Sequence, residues 1–380
     1  LPMSKILSRC LSALSLAAVL GSPLQAEEAI DTGAYLAARV AESHNDFPAA
    51  SAWYARAIET DPNNPQVLEG AVLAEIGIGD FDVAIQAADL LKSLGGEQSQ
   101  LAELALLAGE AQREDYAAIL AAFDQGRDVG GLANSLVTAW AKVGEGKMSD
   151  ALAEFDTLTQ AKGLEAFGYY HKALAMAMVG DFQGADDILS GKVAGPIFMM
   201  RRGIMAHAQI LSQLERNADA LALLDKSFGT RPDPVIDALR RRLEAGEPVP
   251  FDTVATARDG IAETFYTIST ALNGEDDPVY ALIHLRIAGY LQPGNADAML
   301  LTADVLGTLG MGDLAVETYA AFAPDSPYHV NAEVGRANVL KEQGKADVAI
   351  EALQALAAQN GDLVSVQFSL GEVLQDEKRF

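Results

Sequence analysis

The hydrophobic pattern of this chain repeats, and the repeat is set by small residues. In "GDFDVAIQAADLL" (79–91) a turn residue is followed, five positions on, by Ala, and an apolar helical face then continues. The same Ala recurs at Ala50, Ala84, Ala118, Ala151, Ala185 and Ala220, then at Ala281, Ala315 and Ala349. Successive members lie 33 to 35 residues apart, except for one interval of 61 between Ala220 and Ala281. Gly stands five positions before this Ala at Gly79, Gly146, Gly180, Gly310 and Gly344. Twelve positions before it stands another small residue: Ala38, Ala139, Ala173, Ala208, Ser269, Ala303 and Ala337, with Val72 and Leu106 as exceptions. Each period therefore predicts a helix, a tight turn and a second helix, with the two helices closest at the small positions.

One such hairpin cannot bury both of its faces, whereas a stack of hairpins buries them against one another. This 34-residue pattern resembles the tetratricopeptide repeat (TPR) family, and some units also end on that family's Pro, as in "YARAIETDPNNP" (54–65) and "HLRIAGYLQP" (284–293). The family's Trp at the fourth position of the unit is absent throughout. The resemblance covers about residues 31–380. It implies an all-α, right-handed superhelical solenoid of about nine to ten helix–turn–helix repeats, with one concave and one convex wall.

Two irregularities divide the chain. Between Ala220 and Ala281, "PVIDALRRRLEAG" (234–246) reads as a short helix ended by Gly, and "EPVPFDT" (247–253) as a Pro-broken loop. A joint is expected there, separating a stack over 27–246 from one over 247–380. The second stack holds three repeats and the first helix of a fourth, "SLGEVLQDEKRF" (369–380), with Gly371 at its small position. Its second helix would fall past residue 380, so the chain is expected to be the N-terminal part of a longer protein, with the half-unit as a cap the alternative.

The first 26 residues break the pattern. Lys5 and Arg9 precede the apolar run "CLSALSLAAVLG" (10–21), which at twelve residues falls short of the roughly 20 needed to span a bilayer. "SPLQA" follows, and the whole reads as a signal peptide cleaved after Ala26. Cys10 leaves with it, so the mature chain has no thiol for a disulfide, a metal or a nucleophile. No later stretch can cross a membrane, and the expected location is the bacterial periplasm.

Charge narrows the partners. The chain carries 27 basic and 53 acidic residues, a net charge of −26, which repels phosphate backbones and argues against nucleic acid. No catalytic constellation emerges. His44, His171, His207, His284 and His329 form no metal-binding pair, the glycines fall one per turn rather than in a phosphate loop, and "GEDDP" (274–278) lacks the alternation of a calcium loop. No enzyme activity and no cofactor are expected.

In the TPR family, ligands lie along the concave wall, against fixed positions of the first helices. Carried onto this chain, those positions are Leu136, Trp140 and Val143 in the fourth unit, Phe167, Tyr170, Leu174 and Met178 in the fifth, and Met205 in the sixth. They predict an apolar, aromatic patch in mid-groove with Trp140 as anchor, unless the supertwist brings other helices over it. The Lys and Asn with which some members clamp a C-terminal carboxylate are missing. Arg240, Arg241 and Arg242, with the pair Arg201 and Arg202, stand out in so acidic a chain. They are either a docking patch at the joint or paired with nearby carboxylates. The resemblance thus implies a non-enzymatic scaffold or adaptor of the bacterial envelope that binds a protein or peptide. A carbohydrate or small-ligand binder in polysaccharide export, or an activity lying beyond residue 380, is the alternative.

Overall fold

A computed structural model describes residues 31–95, 98–272 and 277–378. The signal segment 1–26 and most of the acidic turn at 274–278 lie outside these described residues. Among them there are 20 helices and no strand. Six hairpins come first: α1 (Thr32–Ser43) with α2 (Phe47–Thr60), α3 (Pro65–Ile78) with α4 (Phe81–Ser93), α5 (Gln100–Gln112) with α6 (Tyr116–Asp124), α7 (Gly131–Gly144) with α8 (Met148–Thr159), α9 (Glu165–Met178) with α10 (Phe182–Leu189), and α11 (Arg201–Gln213) with α12 (Asn217–Phe228). A lone helix, α13 (Pro234–Glu244), leads to the pairs α14 (Ala257–Leu272) with α15 (Pro278–Leu291), α16 (Ala296–Thr308) with α17 (Gly312–Ala320), and α18 (His329–Glu342) with α19 (Ala346–Gln359). The last described helix is α20 (Val364–Asp376). The fold is an all-α solenoid of TPR-like hairpins.

The small-residue register does what the spacing requires. Eight of the nine register alanines, Ala118 being the exception, are fully buried, as are Ala38, Ala139, Ala173, Ala208, Ser269, Ala303 and Ala337 twelve positions earlier. Most of these positions carry nothing larger than Ala or Ser, and being fully buried they leave no solvent-facing space into which a larger side chain could turn. Replacing Ala151 by Leu is therefore expected to overpack the α7–α8 contact at a cost of about 1–3 kcal/mol, read as a lower urea midpoint at unchanged m-value.

The turn before each second helix needs a left-handed residue. Glycine supplies it at Gly79 and Gly146, with φ of 93° and 73°, and Asn45 and Glu215 adopt the same region at 58° and 61°. The Asp after it often caps the next helix: Asp46, Asp80, Asp115 and Asp181 each accept a backbone N–H of the first turn. This geometry corrects the register of the third unit. Its left-handed residue is Glu114, one position late, so the fully buried position is Ile119, and Ala118 is only partly buried.

The loop 247–253 is held along α11. Val249 is buried, its N–H bonds Ser212 Oγ at 3.0 Å, and its carbonyl accepts from Gln213 at 2.7 Å. It delivers the chain to α14, which packs on α7 and also on α5 and α9, while α15 packs on α3 and α5. One core consequently runs from Ala34 to Val339, across the joint expected near residue 247.

Candidate functional site: the wall of first helices

The helices α3, α5, α7 and α9 are the first helices of successive hairpins and form the wall on which a ligand was expected. That wall is occupied by α14 and α15 of the same chain. Trp140, Leu136 and Leu174 have no exposure and Val143 only 8%, so they are core residues and not an open groove. Phe167, Tyr170 and Met178 are partly buried against the same core, and Met205 against a separate cluster under α11 and α12.

The fit at Trp140 depends on Gly260. A Cβ at Gly260 would lie 2.2 Å from Trp140 ring atoms, so the absence of a side chain on α14 lets the indole lie against its backbone. Phe155 meets the ring edge-on at 5.6 Å. The indole N–H donates to His171 Nδ1 at 3.0 Å, and the other ring nitrogen of His171 lies 3.1 Å from Thr267 Oγ1 on α14. At the far end Phe81 stacks on Tyr290 at 4.3 Å, and Arg286 Nε donates to the carbonyl of Gly77 near the end of α3 at 3.0 Å.

Charge locks the middle. Arg202, at the start of α11, donates to Glu263 on α14 at 2.8 Å and to Asp297 on α16 at 3.0 Å. It also reaches the carbonyl of Thr253 at 3.2 Å and Gln292 at 3.4 Å, and its guanidinium lies over the Tyr266 ring. Tyr170 donates to the other oxygen of Glu263 at 2.8 Å, and Tyr328 donates to Asp297 at 3.2 Å. The Glu263 side chain is wholly buried and that of Arg202 is 13% exposed. Burial works against the Arg202 charge, yet Glu263 and Asp297 outweigh it and hold its pKa above the usual arginine value. Burial, then the Glu263 charge, pushes the Tyr170 hydroxyl well above its ordinary range. Nothing in this cluster offers a nucleophile or a free base; its chemistry is that of a clasp between distant parts of the chain.

His171, between Trp140 and Thr267, gives the fold a pH dependence. Burial lowers its pKa to about 3, so it stays neutral when folded. Burial also lowers His207, against the pull of Asp186 at 2.8 Å, and His284. A depressed folded-state pKa means that the unfolded chain binds the proton more tightly. The contribution of His171 is thus complete above its unfolded value near 6.5 and is lost as pH falls from there toward 3. Urea titrations at pH 7.5 and 5.5 are expected to show a lower midpoint at 5.5, with a smaller difference in His171→Phe.

The arginine triplet is largely paired within its own neighbourhood. Arg240 donates to the Gly229 carbonyl at 2.6 Å and contacts Asp225 and Asp237 at 3.1 and 3.2 Å; Arg242 is 3.7 Å from Glu247, and Arg241 is exposed. Arg201 grips Asp233, the cap of α13, through two bonds of 2.6 and 2.9 Å. Sequence reasoning missed Arg202 as the centre of the clasp, although the Arg201–Arg202 pair was conspicuous. It also missed Glu263 and Gly260, which carry no motif.

Open apolar surface lies elsewhere. Leu36 and Val40 on α1 are 58% and 59% exposed and, with Ala37, Ala41, His44 and Trp53, line an open hollow of about 520 Å3. Arg56 lies over the Trp53 ring. No described helix is long and apolar enough to cross a membrane.

No family model and no curated protein matches this chain. Among solved structures it is similar to the P58(IPK) TPR domain, at 11% identity over 91% of this chain and 98% of that one, with a TM-score of 0.28. It is also similar to yeast Tom70, at 13% identity over 90% and 89% of the two chains, with a TM-score of 0.28. A chain of Naa15/Naa10 bound to HypK-THB matches at 17% identity over 90% of this chain and 60% of that one, with a TM-score of 0.31. The fold is defined by the chain's own helix order and register.

Proposed function

We propose that this chain is a non-enzymatic, protein-binding scaffold of the bacterial envelope. The observation that carries the reading is the hollow on α1 and α2, where Leu36, Val40 and Trp53 leave a contiguous apolar patch in water. Contiguous exposed apolar surface of this kind marks a contact site. An aromatic ring backed by an arginine is a common anchor for a peptide segment. The basic start and short apolar run of residues 1–26 support the export that this reading requires. A carbohydrate reading would rest on aromatic platforms at Trp140, Phe167 and Tyr170, but Trp140 is in the core and the Tyr170 hydroxyl is spent on Glu263.

The test is site-specific photocrosslinking in native envelopes. A photoreactive phenylalanine at position 40 or 53 is expected to give discrete protein adducts, and Leu36→Asp to remove them. The same residue at the exposed Lys226 serves as the background. Adducts from 40 and 53 no different from those at 226 would overturn the reading.

A further inference from the structure

We infer that the Phe198–Met199 bond is a cleavage site, presented by the folded chain to an endoprotease whose primary pocket takes a large apolar side chain. The link from α10 to α11 ends in residues 196–200, and these alternate as an extended strand does. Pro196, Phe198 and Met200 are exposed, while Ile197 and Met199 pack against the cluster of Ala173, Ile188 and Ile210. Met200 has extended backbone, at φ −74° and ψ 170°.

Two observations single out this bond. Among the described residues Phe198, 85% exposed, is the one exposed Phe, Tyr or Trp outside a helix; Trp53 and Phe368 lie within α2 and α20. The N–H and C=O groups of residues 197–199 bond no other backbone group among the described residues. The loop 247–253 differs, because Ser212, Gln213 and Gln209 hold its backbone.

A protease that binds its substrate as an added strand needs free main-chain groups and side chains that point alternately into its pockets. A helix offers neither, since its N–H and C=O groups are already paired. The segment 196–200 offers both. A hydrophobic slot of the chymotrypsin kind then selects the aromatic residue on the acyl side of the cut, which is Phe198. Both ends of the segment are tied. Lys192 lies 2.8 Å from Asp187 and 3.2 Å from Asp186, and Arg201 and Arg202 hold the start of α11. The strand is thus held out in one conformation, which lowers the ordering cost of binding.

In the cut, water adds across the peptide bond. The Phe198 carbonyl carbon takes the hydroxyl and the Met199 nitrogen takes the hydrogen, and proton transfer leaves a carboxylate and an ammonium. The two pieces stay joined, because α14 and α15 of the second lie on the wall of the first. Trp140 against Gly260, His171 to Thr267, Tyr170 to Glu263 and Asp186 to His207 all span the cut.

The test is limited digestion of the full chain with chymotrypsin in native buffer, read by intact mass. The first cut is expected after Phe198, and the two pieces are expected to co-elute in size exclusion and to separate only in urea. Phe198→Asp is expected to slow that cut at least about tenfold at an unchanged melting temperature, because the side chain stands in water. Ala151→Leu, which weakens the fold elsewhere, is expected to leave the rate unchanged. A faster cut in that variant would show that the chain must open first, and would overturn the proposal. So would a first cut at another bond, an equal rate in Phe198→Asp, or pieces that part in native buffer. The inference does not rest on the hollow of α1 and α2, so its failure leaves the crosslinking result at positions 40 and 53 untouched.

Discussion

Replacing Gly260 by Ala is expected to cost about 3 kcal/mol, the upper end for overpacking a rigid core. The added methyl would lie 2.2 Å from the Trp140 ring, and the ring cannot yield. It is fully buried, edge-on to Phe155, and bonded through its N–H to His171. Helix propensity alone would favour Ala over Gly by about 0.5–1 kcal/mol, so the sign of the effect separates packing from propensity. Gly371→Ala supplies the control, because that helical position is open. Trp140→Leu should recover part of the loss in the Gly260→Ala background, and the coupling between the two sites is the quantity to measure. Urea unfolding of the four variants gives it.

The second large effect belongs to Arg202. Substitution by Met removes the cation between Glu263 and Asp297 and leaves a fully buried carboxylate with only the Tyr170 hydroxyl beside it. Breaking a buried pair from one side costs about 3–5 kcal/mol. Removing all the charges together, in Arg202→Met/Glu263→Gln/Asp297→Asn, is expected to cost less than the single change, because no uncompensated charge remains. Thermal melts of the single and triple variants at pH 7.5 decide the order. If the single variant is as stable as the parent, the clasp does not hold the fold together.

The repeat was legible because it is local. Ala and the small residue before it sit in contacts between neighbouring helices, and the sequence spells both partners within one period. The one slip, Ile119 in place of Ala118, arose because the left-handed residue of the third unit, Glu114, stands one position later than the spacing predicts. What lies across the wall of first helices was not legible. Position on a helix tells which face a residue is on, but not what meets that face. Trp140 meets a glycine 120 residues later in the sequence, and Arg202 meets Glu263 at a separation of 61 and Asp297 at 95. No periodic pattern records such pairs. The only sign of them was the 61-residue interval, whose lone helix and the loop anchored by the buried Val249 carry the chain back onto the wall. An aromatic cluster at groove positions therefore reads alike whether a partner or the chain's own α14 covers it.

Apolar side chains remain in water elsewhere: Leu36 and Val40 on α1, and Phe198 between α10 and α11, which is 85% exposed.

The most direct measurement uses the two tryptophans. The sequence has only Trp53 and Trp140, and Trp53 is 38% exposed whereas Trp140 is buried beneath α14. In Trp53→Phe the emission comes from Trp140 alone. If the wall is filled, that emission is blue-shifted and resists acrylamide quenching until the protein unfolds. Red-shifted emission that acrylamide quenches freely in the folded protein would mean that the wall is open to solvent, and would contradict the account.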